Sequence, residues 1–263
     1  MIETAIEAAR TGAKILMEGL TSPGFRNHIE LKSASDYVTD IDRKSQEAIV
    51  ELILKRFPGH AIMAEESGGG IDGDEMRWII DPLDGTTNYI HGFPVFAVSV
   101  AAERYDRNRP GFGEILVGAV INPSSNDLYC AEASKGAFCK GERIKVSGRN
   151  ELAECILATG FPFREKRYLE EFLTIFRRVF YSVSGVRRTG SAAMDLCWTA
   201  HGALDGFWEK GLSPWDMAAG SLIIKEAGGI VSDFKGGDDY LSSGNILTST
   251  PDIHERMLEL IRG

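Results

Sequence analysis

At 263 residues with 43% hydrophobic side chains, the chain can bury a substantial core, as one large domain or two closely joined halves. Its formal net charge of −9 argues against a phosphate-backbone binder, and no basic tract interleaved with aromatics offsets it, so nucleic acid is not expected as the main partner. No stretch approaches the roughly 20 apolar residues of a membrane span, and the start Met1-Ile2-Glu3 lacks the apolar core of a signal peptide, so a cytoplasmic protein with no membrane partner is expected.

Along the chain, helical and strand patterns are interleaved, which suggests a layered α/β architecture. Ile2, Ile6, Ala9, Ala13, Leu16 and Leu20 recur at helical spacing, and a second helix runs from about Ile41 to Phe57, where Pro58-Gly59 ends it. Strands are predicted at His60 to Ala64 and Arg77 to Asp81. Val95 to Glu103 and Glu114 to Asn122 read as an antiparallel hairpin joined by the polar loop Arg104 to Gly113, and Leu128 to Ala133 would extend that sheet. The polar stretch Lys145 to Leu152 marks a boundary between halves 1–150 and 151–263. Beyond it, helices are predicted over Lys166 to Phe180, Ser191 to Ala203, Pro214 to Ala227 and Pro251 to Ile261, with Gly228-Gly229 stopping the third.

Cys130, Cys139, Cys155 and Cys197 are scattered, form no Cys-x-x-Cys pair and read as buried free thiols. The histidines, His28, His60, His91, His201 and His254, lack metal-ligand spacing and read as solvated or structural. Chemistry is concentrated in the acids. Trp78 to Ile80 is an apolar strand that delivers Asp81 to the sheet edge, where Pro82, with no amide hydrogen, is expected to stop the ladder. A turn then lets Asp81 and Asp84 converge on one point, which two anions tolerate around a cation; hard oxygen ligands favour magnesium or manganese over zinc. Gly85 allows close backbone approach, and Thr86-Thr87 could open a helical turn whose amides face an anion. The same residues also suit an ordinary surface turn.

Glu65 and Glu66 close a strand ahead of Ser67-Gly68-Gly69-Gly70; adjacent strand residues point to opposite faces, so Glu66 reads as a solvated acid. Asp216 follows Ser213 and Pro214 at the third helical position, where helix capping alone would explain it. Thr39-Asp40-Ile41-Asp42 is equally a capped helix start.

Trp78-Ile79-Ile80-Asp81-Pro82-Leu83-Asp84-Gly85-Thr86-Thr87-Asn88-Tyr89 resembles the first signature of the inositol monophosphatase family, and Trp215-Asp216-Met217-Ala218-Ala219-Gly220 its second. Asp36-Tyr37-Val38-Thr39-Asp40-Ile41-Asp42, Glu65-Glu66-Ser67, and Gly190-Ser191-Ala192-Ala193 through Asp205-Gly206-Phe207-Trp208-Glu209 resemble its bacterial-type branch, so the likeness spans nearly the whole chain. It implies an alternating αβαβα sandwich of the type shared with fructose-1,6-bisphosphatase, with an antiparallel sheet in the first half and a smaller sheet in the second.

It also implies two to three Mg2+ ions, with Mn2+ as a substitute. Glu65, Asp81 and the Leu83 carbonyl would bind one ion, and Asp81, Asp84 and Asp216 a second. Gly85 and Thr86 would hold phosphate, and Asp84, Gly190, Ser191, Ala192, Glu209 and Asp216 would contact the polyol. Glu65, with Thr86 oriented by Asp42, would serve catalysis by metal-activated water. The implied protein is a lithium-sensitive, homodimeric phosphatase acting on myo-inositol monophosphate. A fructose-1,6-bisphosphatase or dual enzyme is the nearest alternative, and a non-catalytic binding or regulatory protein the alternative of a different class. Arg164, Lys166, Arg187 and Arg188 are cations that could meet a second substrate phosphate, a neighbouring subunit or solvent, and Lys32 could help hold a metal-phosphate complex or stand in solvent.

Overall fold

Apolar periodicity sorts the chain into layers. A computed structural model describes residues 1–22, 29–33, 36–67, 71–105, 111–163 and 165–263, with the backbone alone for 29–33 and 36–39. His28, Gly68 to Gly70, Arg164 and the side chain of Lys32 therefore lie outside the described residues. In chain order the first half contains α1 (Ile2–Thr21), β1 (Ile29–Ser33), β2 (Asp36–Thr39), α2 (Asp40–Arg56), β3 (Ala61–Ala64), β4 (Met76–Asp84), α3 (Thr86–His91), β5 (Ala97–Arg104), β6 (Glu114–Asn122), β7 (Asp127–Glu132), β8 (Gly136–Cys139) and β9 (Glu142–Ile144). The second contains β10 (Ile156–Thr159), α4 (Leu169–Phe180), β11 (Gly185–Arg187), α5 (Ala192–Ala200), β12 (Gly206–Lys210), α6 (Pro214–Glu226), β13 (Ile230–Ser232), α7 (Tyr240–Ser243), β14 (Asn245–Ser249) and α8 (His254–Arg262).

Strands β3 to β9 lie in sequence order in a seven-stranded sheet, antiparallel except for the β3–β4 pair. The second sheet has the order β11-β10-β12-β14-β13, parallel where β10 meets β11 and β12, antiparallel elsewhere. The period-2 alternation of side chains builds three apolar layers from these two sheets. On β4 and β5, Trp78, Ile80, Val98 and Val100 pack with Ala9, Leu16 and Ile49 of α1 and α2. Ile79, Ala97 and Ala101 face the other way, onto Leu196, Met217, Ala219 and Ile223 of α5 and α6, and that same layer takes in Ala158, Phe207 and Ile246 of the second sheet. Leu157, Trp208 and Leu247, one residue along their strands, turn outward onto Ile175, Val179, Met257 and Ile261 of α4 and α8. The result is the αβαβα sandwich that the resemblance implied.

Where the structure departs from the sequence expectation, the departure builds the site. Pro82 does not end β4. The strand pairs Asp81 with Ser99 and, after a bulge, Asp84 with Ala97. Within a bulge the proline need not donate to the ladder. Because Ser99 and Ala97 are two residues apart, they share a face, and so do Asp81 and Asp84 opposite them. Without the extra residue, two positions three apart would point to opposite faces. The predicted helices over 166–180 and 251–261 each open instead with a 3-10 turn, Lys166–Tyr168 and Pro251–Ile253.

Candidate active site

The side of the first sheet on which Asp81 and Asp84 emerge is the side covered by α6. Ser99 Oγ donates to the carbonyl of Trp215 at 3.2 Å, which seats the first turn of α6 against β5 beside Asp81. This places Asp216 next to the pair: one carboxylate oxygen from each of Asp81, Asp84 and Asp216 lies within 4.8 Å of the others. Capping and clustering turn out to be compatible in Asp216. Its Oδ2 accepts the Ser213 amide at 2.7 Å and caps α6, while the carboxylate still belongs to the acidic group.

Asp84 ties the two halves together. Its Oδ2 accepts from Ser191 Oγ at 2.5 Å and from the Ala193 amide at 2.8 Å, at the N-terminus of α5, where helix geometry favours an anion. Ser191 Oγ in turn accepts the Met194 amide and is the N-cap. Gly85 follows with φ +87, and a Cβ there would come within 3.1 Å of the Gly190 and Val95 carbonyls, so only glycine lets the two loops meet. Asn88, to which the sequence assigns no role beyond its place in the signature, holds that meeting. Its Nδ2 donates to the Val95 carbonyl at 2.6 Å and to the Thr189 carbonyl at 2.9 Å.

Glu65, Asp81, Leu83, Asp84, Gly85, Thr86, Gly190, Ser191, Ala192, Glu209 and Asp216 all line one cleft of about 430 Å³, within the range of small-molecule sites. Thr86 Oγ1 donates to the Leu83 carbonyl at 3.1 Å. Asp42 is buried in the first turn of α2, outside the lining of that cleft, and its charge adds to burial in raising the Tyr89 phenol. The backbone amide of Glu66 donates to Gln46 Oε1 at 2.8 Å, and Glu66 is not among the residues that line the cleft. An acid and a cation that the spacing had not singled out or assigned also line the cleft. Asp195 is a buried acid within the otherwise apolar α5, a sequence signal in itself, and accepts Thr189 Oγ1 at 2.8 Å. Arg188 stacks over Phe161 and Phe163, 5.6 and 5.5 Å from the ring centroids.

The electrostatics are those of anions short of positive charge. Burial, then the charges of Glu65, Asp84 and Asp216, push the Asp81 carboxyl well above the usual range. Its Oδ1 accepts the Leu83 amide at 2.9 Å, whereas its Oδ2 is buried without a hydrogen-bond partner among the described residues. An orphaned acceptor among further carboxylates is the environment that a hard divalent cation satisfies, and the all-oxygen donor set suits one of the magnesium or manganese kind. The residues present therefore fit a metal site.

The inositol monophosphatase family model matches residues 1–263. The chain belongs to the inositol monophosphatase family. Members of this family are metal-dependent phosphatases acting on small phosphorylated substrates. Among its relatives, Nus factor SuhB of Vibrio cholerae is 44% identical over 264 residues, covering 100% of this chain and 96% of the relative. The inositol-1-monophosphatase of Mesorhizobium japonicum is 40% identical over 264 residues, 100% of this chain and 94% of the relative. Among solved structures, the extragenic suppressor protein suhB from Bartonella henselae superposes with a TM-score of 0.91 at 38% identity, over 99% of this chain and 97% of that one. The Thermotoga maritima IMPase gives 0.86 at 35% identity, over 99% and 96%.

Within the inositol monophosphatase family fold, the parts of this chain outside the cleft are structural where the sequence reading expected it. Cys130, Cys139, Cys155 and Cys197 are free thiols, three of them buried. His60 accepts the Trp78 indole N–H at 3.0 Å, and His254 is held between Ser232 and Ser249. Among the described residues no helix is long and apolar enough to cross a membrane.

Proposed function

We propose that the chain is a cytoplasmic phosphoric monoester hydrolase that converts myo-inositol monophosphate to inositol and phosphate. The observation that carries this reading is the meeting of Asp81, Asp84 and Asp216, with one Asp81 oxygen unsatisfied among the described residues, in a cleft whose other wall presents Glu209 and the loop Gly190 to Ala192. Residues 1–150 would form one half, supplying the metal and phosphate loop, and residues 151–263 the other, supplying polyol contacts and Asp216. Glu65, Asp81 and the Leu83 carbonyl would hold one Mg2+, Asp81, Asp84 and Asp216 a second, and a third, weaker ion would sit near Glu65, with Mn2+ as a substitute. Such ions, when bound, supply positive charge against the phosphate oxygens and lower the pKa of nearby water.

The chain's own residues position and move protons around that charge. Glu65 would take the proton of the attacking water, and the Thr86 hydroxyl would orient that water on turning from the Leu83 carbonyl towards Asp42, while the amides of Gly85 and Thr86 hold the phosphate. Asp84 is already fixed by Ser191 and Ala193, so its remaining oxygen is pre-aimed. Glu209 and the 190–192 loop would accept and donate hydrogen bonds to the polyol hydroxyls, and only the alcohol side of the cleft would distinguish one ester from another.

Arg188 supports a second reading, hydrolysis of fructose-1,6-bisphosphate alone or beside inositol phosphate, because its guanidinium lines the same cleft and could meet a second phosphate. Relatives that bear the name Nus factor support a third, a regulatory protein that binds without turnover. A phosphate-release screen across inositol, fructose, glycerol and nucleotide esters separates them. The expected result is release from myo-inositol monophosphate with Mg2+, inhibited by lithium and lost with chelator and in Asp84→Asn. A preference for the bisphosphate moves the assignment to the second reading, and no release from any ester moves it to the third.

A homodimer is the expected assembly. Leu169, Leu173, Phe180 and Tyr181, exposed on and beside α4, offer a surface of suitable composition. Sedimentation as a monomer at micromolar concentration would remove this part of the proposal.

A further inference from the structure

Gly160 directly follows β10, and β10 runs parallel to β12 with Thr159 opposite Trp208. The next residue on each strand turns to the other face, so position 160 and Glu209 come side by side on the wall of the cleft. A Cβ built on Gly160 would overlap Oε1, Oε2 and Cδ of Glu209; the whole carboxylate lies against the bare Cα. Gly160 is not among the glycines with positive φ, so the backbone does not demand glycine here. The demand comes from the carboxylate. Around it stand Asp195, which repels it, and Arg188, which attracts it, so a displaced carboxylate would meet a different balance of charges.

We propose that Gly160 is a specificity-determining position, which admits the Glu209 carboxylate to the place where it accepts a polyol hydroxyl. This rests on the reading of the cleft as a polyol phosphate site. Any side chain at 160 drives the carboxylate off the strand end, and an acceptor displaced by about an ångström no longer meets the hydroxyl it was placed for. Gly160 acts through Glu209 and touches no reacting atom, so it is a positioning residue. Its effect belongs to recognition of the alcohol and not to the chemistry at phosphorus.

A double-mutant cycle tests this. Gly160→Ala is expected to lower kcat/KM for myo-inositol 1-phosphate by about tenfold or more, the loss of one charge-assisted hydrogen bond, and mainly through KM. In a Glu209→Ala background the same substitution is expected to cost less than about twofold, because the group it displaces is gone. The loss should also be smaller for p-nitrophenyl phosphate, whose alcohol carries no further hydroxyl. Equal losses in both backgrounds, equal losses on both esters, or unchanged kinetics of Gly160→Ala would overturn the proposal while leaving the phosphatase reading intact. A native protein that hydrolyses neither ester overturns that reading and this inference with it. If Gly160→Ala does not fold, Glu209→Asp, which retracts the carboxylate by one methylene, must raise KM about tenfold on its own, and an unchanged KM overturns the placement.

Discussion

Replacing Asp81 by asparagine is expected to reduce phosphate release by at least about 100-fold and, in chelator, to make the protein more stable than the native chain. Both effects follow from one atom. Asp81 is fully buried, its Oδ2 lacks a hydrogen-bond partner among the described residues, and Glu65, Asp84 and Asp216 add their charge to the penalty of burial. Asparagine keeps an acceptor for the Leu83 amide and exchanges the remaining anionic oxygen for a donor that neighbouring carboxylates can use. Removing an uncompensated buried charge is worth on the order of 2 kcal/mol, or about 4–8 °C in Tm for a chain of this size. Mg2+ should then raise the Tm of the native chain by mass action and leave that of Asp81→Asn nearly unmoved.

The pH dependence has a definite sign. A carboxyl whose folded pKa is raised contributes its stability below the unfolded value of about 3.9, and that stability is lost as pH rises through the folded value. Asp81 is raised by burial and its neighbours, whereas the asparagine does not titrate. In chelator the Tm advantage of Asp81→Asn should therefore widen from about pH 5 to pH 8. Asp195 and Glu209, also raised and led by burial, contribute the same slope to both proteins and cancel in the difference. Differential scanning fluorimetry over that range decides it, and an asparagine variant that melts at or below the native chain at pH 8 in chelator would rule out the charge argument.

Asp205→Ala is expected to destabilise the fold by about 3 kcal/mol without changing metal affinity. Asp205 is buried between the second sheet and the segment that enters it. Its Oδ1 accepts from Ser147 Oγ and from Arg149 Nη1, the latter at 3.0 Å, and its Oδ2 accepts the Ile156 amide at 2.7 Å. The carbonyl of the same residue accepts the Thr250 amide at 3.0 Å. One carboxylate thus fixes the 147–149 segment and the first amide of β10, while its backbone engages the residue just past β14. Alanine leaves a part-buried amide and hydroxyl without acceptors, whereas half-exposed Arg149 can return to solvent, which limits the loss. Asp205→Asn, retaining one acceptor, should fall between the two. Urea denaturation measures all three, and a loss under about 1 kcal/mol for alanine would show that the network adds little.

Several parts of the molecule are legible in the sequence. The period of Ile2, Ile6, Ala9, Ala13 and Leu16 marks α1 because that helix buries one stripe, and the Ser213-Pro214-Trp215-Asp216 run marks the start of α6 through its cap. The strands of the second sheet and the short β8 and β9 left weaker traces. They span three to five residues, and in β12 and β14 both faces are covered, so the polar alternation that would announce a half-exposed strand is missing. Pro82 departs from the sequence expectation for another reason: a proline that usually breaks a ladder is tolerated where a bulge leaves its nitrogen unpaired, and the bulge depends on the partner strand.

By itself the sequence determined which residues could do chemistry and how each local segment would cap, turn or extend, since these depend on neighbours within a few positions. Read through its resemblance to a family, it also carried the layer order. The tertiary structure alone decided that a bulge turns Asp81 and Asp84 to one face, that Ser191 and Ala193 clamp Asp84, that one Asp81 oxygen is left without a partner among the described residues, and that Gly160 makes room for Glu209. Those facts arise from pairing between strands and contacts across as many as 109 positions, where burial removes water as an alternative partner and makes each unsatisfied charge count.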